Sequence, residues 1–341
     1  FRVQSLVLCP TRELADQVAR EMRRLASAIH NIKILTLCGG APFGPQLGSL
    51  RLGAHIVVGT PGRIEEHLRK GTLDLSEVNT LVLDEADRML DMGFQESVDA
   101  IVAKTPARRQ TLLFSATYPD QIQGLARRVL RRPVTVKVES THGGRSIRQR
   151  FYRFDQNKQR QNMLRLLLLK FRPESTLVFS NTKRESEEVA DSLRSHGFSA
   201  LALHGDLEQK ARDEVLVRFA NRSVSVLVAT DVAARGLDID DLDAVINYHI
   251  ARDPEVHVHR IGRTGRAGKK GQALTLFSAS EDYRAARLEA YLDQKIEVDE
   301  LPPFKLLEKP AYRPPMVTLQ IDGGRKQKVR PGDVLGALTG E

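Results

Sequence analysis

Short apolar runs alternate along the chain with stretches whose apolar positions return at helical spacing, and this alternation predicts βαβ units in a mainly parallel α/β fold. The pattern then repeats. "SLVLCPTRELADQVA" from Ser5 resembles "TLVFSNTKRESEEVA" from Thr176, and "LTLCGG" from Leu35 resembles "LALHGD" from Leu201. "IVVGT" ending at Thr60 matches "VLVAT" ending at Thr230, and "QTLLFSAT" from Gln110 matches "QALTLFSAS" from Gln272. Segments that recur in one order, each with polar residues just beyond the strand, predict two similar α/β halves. The seam is expected in "ESTHGGRSIRQR", which is rich in Gly, Ser and Arg and lacks apolar periodicity. This sets a linker at residues 139–149 between domains at 1–138 and 150–302.

Open α/β sheets bind ligands outside the carboxyl ends of their strands. Thr11 with Arg12, Gly39 with Gly40, Thr60, Asn181 with Thr182, Gly205 and Thr230 all fall at that edge. Several begin helices, where free N–H groups and the helix dipole favour phosphate. At any single position an ordinary cap or turn explains Thr or Gly equally well. Recurrence in both halves favours a line of phosphate sites along one edge.

The stretch "LVLDEADRML" ends an aliphatic run in two adjacent carboxylates, Asp84 and Glu85. An unpaired carboxylate is costly to bury, so such a strand end suits a metal ion or proton chemistry. A strand simply meeting the polar surface is the alternative.

Composition narrows the partners. A formal charge of +9 points to a polyanion, nucleic acid before membrane. Aromatic residues make up 5% with no Trp, so phosphate and sugar contacts are expected to outweigh base stacking. Cys9 and Cys38 each sit in an apolar run and read as buried hydrophobes, and no Cys/His cluster has zinc-ligand spacing. No apolar run approaches the ~18 residues of a membrane span, so no membrane contact and a cytoplasmic location are expected.

With these residues in view, the chain resembles a DEAD-box RNA helicase of superfamily 2. The segments that carry the resemblance run in order over nearly the whole chain: "PTRELA" (Pro10 to Ala15), Gly39–Gly40, "TPGR" (Thr60 to Arg63), "DEAD" (Asp84 to Asp87) and "SAT" (Ser115 to Thr117). They continue with "VFSNT" (Val178 to Thr182), "HGDLEQKAR" (His204 to Arg212), "ATDVAARGLDI" (Ala229 to Ile239) and "HRIGRTGRAG" (His259 to Gly268). The resemblance implies two tandem RecA-like parallel-sheet domains that use ATP and Mg²⁺. It also implies that Asp84 holds Mg²⁺ through water and that Glu85 orients and deprotonates the water attacking the γ-phosphate. Arg263 and Arg266 would act as arginine fingers, about one turn apart if their segment is helical. Gly236 and Asp238 would contact the nucleotide, Asp238 at the ribose. Asp87, Ser115, Thr117 and His259 would couple the domains, so that closure assembles the ATP and RNA sites together. RNA would lie on Thr11, Arg12, Gly40, Thr60, Arg63, Asn181, Thr182, Gly205 and Thr230, told from DNA by its 2′-hydroxyls and opened locally without regard to sequence.

The chain departs from the family in two respects. No G-x-x-x-x-G-K-[ST] occurs, and "AGKKGQ" at Ala267 lacks both the spacing and the hydroxyl. The family's adenine-recognising segment is also absent, and the sequence opens at Phe1. The expectation is a truncated chain that has lost its phosphate loop, binds ATP poorly and barely hydrolyses it. Beyond a second linker at 303–311, residues 312–341 contain "MVTLQIDGGRKQKVRPGDVLGALTGE", which reads as an alternating strand, a basic turn and the start of a helix. It resembles the opening of an RRM-like RNA-binding domain carried by one bacterial branch of the family. That likeness implies large-subunit ribosomal RNA as the target and large-subunit assembly as the setting. A basic tail is the plainer reading. Two other functions compete: a non-catalytic two-domain RNA-binding module, and a metal-dependent phosphohydrolase using Asp84 and Glu85, which leaves Arg263 and Arg266 without a role. A monomer is expected.

Overall fold

Leu6, Val7 and Leu8 are buried, as a continuous aliphatic strand is when helices cover both faces of a parallel sheet. They form β1 (Ser5–Leu8), the middle strand of the first sheet. It is followed by α1 (Arg12–Leu25), β2 (Ile34–Leu37), α2 (Phe43–Arg51), β3 (Ile56–Gly59), α3 (Pro61–Arg69), β4 (Thr80–Leu83), α4 (Ala86–Asp91), α5 (Gln95–Ala103), β5 (Gln110–Leu113) and α6 (Asp120–Val129). The computed structural model describes residues 2–137, 147–155, 159–234, 242–265, 271–321, 323–324 and 327–340. Within them the chain divides into two compact units that part at the expected seam, save that Ala234 is grouped with the first. In the first unit the strands lie in the order β2-β3-β1-β4-β5, all parallel. Helix α1 places Leu14, Ala15, Val18, Ala19 and Met22 on one stripe against Val7, Cys9, Cys38 and Val58.

The second unit contains β6 (Ile147–Phe154), α7 (Arg160–Phe171), β7 (Thr176–Ser180), α8 (Lys183–Ser195), β8 (Ala200–Leu203), α9 (Gln209–Ala220), β9 (Val226–Thr230), α10 (Asp231–Ala234), β10 (Ala244–Asn247), α11 (Pro254–Ile261), β11 (Gly271–Ser278), α12 (Asp282–Leu292) and α13 (Pro331–Thr339). Its strands run parallel in the order β6-β11-β10-β7-β9-β8. Read from β8, the series β8-β9-β7-β10-β11 repeats β2-β3-β1-β4-β5. The duplication seen in the sequence is therefore a duplication of topology, with β6 added outside β11. Helix α7 buries Met163, Leu164 and Leu166 to Leu169, which is apolar surface on every side, and forms the centre of the larger core.

The structure revises the connecting segments. Of the linker expected at 139–149, residues 139–146 lie outside the described residues, while Ile147 to Gln149 already belong to β6, paired with Gly271 to Ala273. Residues 303–311 are packed rather than a free connector: Leu306 and Leu307 lie on the second unit's core, and Tyr312 is buried in it beside Phe198. The strand expected from the alternation at Met316 to Ile321 is not formed, and Met316, Val317, Leu319 and Ile321 are exposed. Alternation supplies a strand with an apolar face, but a strand also needs a neighbouring strand to pair with, and this stretch belongs to neither sheet. The helix expected after it is α13, where Asp333 accepts the Arg330 N–H at 2.8 Å.

Candidate functional site

Strand β4 delivers the carboxylate pair to the carboxyl edge of the first sheet. Asp84 N–H still bonds Leu8 O at 3.0 Å, and Glu85 then adopts a left-handed conformation (φ 48°, ψ 53°) that breaks the strand and starts α4. A non-glycine residue held in this region is strained, a condition that clusters at functional sites. Asp84 Oδ1 accepts the Glu85 N–H at 3.0 Å. Burial first, and the Glu85 charge second, raise the Asp84 carboxyl above the usual carboxylate range. An anion destabilised in this way is relieved by a cation, so the residues fit Mg²⁺, which takes one or two carboxylates and completes its shell with phosphate and water. Among the described residues there is no cluster of three or more His, Cys, Asp or Glu that could hold a metal unaided. Arg88, buried, donates to Glu85 Oε2 at 3.2 Å. Sequence reasoning passed over it, although its helical spacing from Glu85 was a usable signal.

Asp87 Oδ2 accepts the Thr117 N–H at 3.0 Å and the Thr117 hydroxyl at 2.9 Å, and Ser115 Oγ donates to Thr117 O at 2.6 Å. The structure thus brings Asp87, Ser115 and Thr117 together inside the first unit.

Farther along the same edge, one loop gathers several predicted residues. Thr60 makes no side-chain cap to α3; its hydroxyl accepts the Gly39 N–H at 3.2 Å. Gly40 has φ 76°. Arg63 donates through both terminal nitrogens to Ala41 O at 3.0 Å, and its Nε lies 3.0 Å from Glu66. Phe43 stacks on the buried His67 at 4.3 Å, with Lys70 Nζ 3.9 Å from its ring centroid. Gln46 donates to Cys38 O at 3.0 Å. Phe43, Gln46 and His67 were not foreseen, because they act across two helices at no fixed spacing. Thr11 caps α1 by accepting the Leu14 N–H at 3.3 Å, and Arg12 lies 3.7 Å from Asp16.

In the second unit Thr182 accepts the Glu185 N–H at 3.1 Å while Glu185 accepts the Asn181 N–H at 2.8 Å, a reciprocal cap that shapes the turn before α8. Gly205 precedes Asp206, which pairs with Lys183 at 2.5 Å. Thr230 Oγ1 accepts the Ala233 N–H at 3.4 Å. Arg260, which sequence reasoning did not single out, is buried and forks onto Asp231 at 2.6 and 2.8 Å. It also donates to Asn247 Oδ1 at 3.2 Å and His249 O at 3.1 Å, and so joins the carboxyl ends of β9 and β10.

His259 lies on α11, but the helix stops at Ile261. The Arg263 and Thr264 N–H groups turn back to the Arg260 and Ile261 carbonyls, and the Thr264 hydroxyl donates to Leu242 O. Arg263 therefore lies in a turn beyond the end of α11. Arg266, Gly236 and Asp238 lie outside the described residues.

Residues 2–125 match the DEAD/DEAH box helicase family, and residues 158–268 match the helicase conserved C-terminal domain. The chain is 54% identical over its full 341 residues to the ATP-dependent RNA helicase DbpA of Escherichia coli, spanning 74% of that protein. It is 45% identical over 295 residues to the DEAD-box ATP-dependent RNA helicase CshA of Geobacillus kaustophilus, covering 86% of this chain and 63% of that one. Among solved structures, S. cerevisiae Dbp5 bound to RNA and ADP BeF3 superposes with a TM-score of 0.76 at 27% identity, covering 90% of this chain and 81% of that one.

Proposed function

The chain belongs to the DEAD-box helicase family, and from that premise we propose that it couples ATP hydrolysis to local opening of RNA duplexes, in the manner of DbpA. The observation that carries this reading is the β4 terminus. A strained, adjacent Asp84–Glu85 pair stands next to an Asp87 bonded to Thr117, on the edge that also bears the Gly39–Gly40 loop. In this reading Asp84 would hold Mg²⁺, and Glu85 would orient the attacking water and take its proton. Bound Mg²⁺ would neutralise charge on the triphosphate oxygens. Arg263 and Arg266 supply positive charge to the transferring phosphoryl group, Gly236 and Asp238 contact the nucleotide, and His259 couples to the Asp87–Ser115–Thr117 cluster. Thr11, Arg12, Gly40, Thr60, Asn181, Thr182, Gly205 and Thr230 contact the RNA backbone, with Arg63 shaping the loop that presents Gly40.

Large-subunit ribosomal RNA as target, and assembly of the large subunit as setting, are part of the proposal. Their support is that the DbpA match runs through residues 303–341, whereas the CshA match covers 295 residues. A monomer in the cytoplasm completes it, and no helix among the described residues is long and apolar enough to cross a membrane. The test is Mg-ATPase activity with and without large-subunit ribosomal RNA, beside Glu85→Gln. These 341 residues contain no phosphate loop, so little turnover is expected from them alone; joined to a phosphate-loop segment they are expected to show RNA-stimulated turnover that the substitution lowers about 100-fold or more. RNA binding by the joined chain that is indifferent to ATP, with no turnover, would replace this reading with a non-catalytic RNA-binding module.

A further inference from the structure

The turn before α8 depends on one carboxylate. Glu185 Oε2 accepts the Asn181 N–H, and Glu185 Oε1 lies 2.6 Å from Nε2 of His249, which follows β10. On the other side of the ring, His249 Nδ1 lies 3.3 Å from Glu281 Oε1. Glu281 is itself anchored: its Oε2 accepts from Arg160 at 2.5 Å and from the Ser278 N–H at 2.9 Å.

Both ring nitrogens thus face carboxylate oxygens, and only the imidazolium can donate to both. A neutral ring leaves one nitrogen lone pair against an acceptor. The charged groups around the ring are Arg160 from α7, Glu185 from α8, Glu281 from the turn before α12, Arg284 from α12 and Arg260 from α11, the last bonded to the His249 carbonyl. Tyr248 meets the ring edge-on at 5.1 Å. Burial opposes the charged form, but the bonds to Glu185 and Glu281 outweigh it, and the His249 pKa is raised above its ordinary 6.5.

We propose that His249 is a positioning residue for RNA: as the imidazolium it braces Glu185 against Glu281, and Glu185 holds the Asn181–Thr182 turn in the form that receives an RNA phosphate. The proposal rests on the reading in which Asn181 and Thr182 contact RNA. Because the folded pKa is raised, the brace is complete below pH ~6.5 and is lost as pH rises through the folded value. RNA affinity therefore falls over that window.

The experiment is fluorescence anisotropy with a labelled single-stranded RNA at constant ionic strength, from about pH 6 to about pH 9, on the wild type, His249→Gln and Thr182→Val. In parallel, the Asn181 amide and His249 ring resonances of the RNA-free wild type are followed by NMR over the same range. The wild type is expected to weaken about fivefold with rising pH, His249→Gln to bind at the weaker level with that pH step removed, and the Asn181 amide to move with the His249 titration. An unchanged pH profile in His249→Gln, or an Asn181 amide that stays still while His249 titrates, overturns the brace. If Thr182→Val binds like the wild type at every pH, the assignment of RNA to this turn fails instead, and the amide titration still judges the brace.

Discussion

Arg63 shows how a residue chosen for its charge can act through its geometry. Its guanidinium forks inward onto the Ala41 carbonyl and Glu66, which fastens the Gly39–Gly40 loop rather than offering a charge to solvent. Lysine lacks the fork. Arg63→Lys is therefore expected to weaken RNA binding several-fold, on the order of one lost charge-assisted hydrogen bond, while the dependence of log Kd on log salt keeps its slope. A slope reduced by about one would mean that Arg63 meets a phosphate directly. Asp84 and Glu85 were legible without a structure, because two carboxylates at the end of an aliphatic run are a local signal. The inward turn of Arg63 was not, because its partner is a backbone carbonyl that carries no residue identity. Arg260 was hidden for a related reason: its partners Asp231, Asn247 and His249 converge only when three strands lie side by side.

At the scale of elements, the two sheets differ at one edge. In the second unit β11 is covered by β6 along its whole length, whereas β5 has no second neighbour among the described residues, and Leu112 and Phe114 are exposed there. An open aliphatic edge pairs with whatever strand is available, and charge blunts it. Leu112→Lys is expected to lower aggregation on heating, read by light scattering, and to leave the monomer and its RNA affinity unchanged. Element identity was legible wherever period and capping agreed, as at Thr11 before α1 and Thr182 before α8. It failed at Met316 to Ile321, where a strand-like alternation joined neither sheet.

For the whole molecule, each unit has its own core, one around Leu6, Leu81 and Ile101 and the other around Leu164, Leu167 and Leu276. Two cores predict unfolding in more than one step by calorimetry. Leu167→Ala is expected to destabilise only the transition of the second unit, by about 3 kcal/mol, and to leave the other in place. A single transition shifted as a whole would mean that the units unfold together. The sequence by itself determined the duplicated α/β plan, the edge on which the polar residues gather and the family to which they belong. Strand period, helix period, caps and ordered motifs are properties of neighbours along the chain, and one sequence holds them all. Tertiary structure alone decided that β6 closes one sheet edge, that residues 303–312 pack on a core, and that Arg63, Arg260 and His249 turn toward backbone and carboxylate partners. Those partners are brought close by sheet order and helix packing, and distance along the chain carries no trace of them.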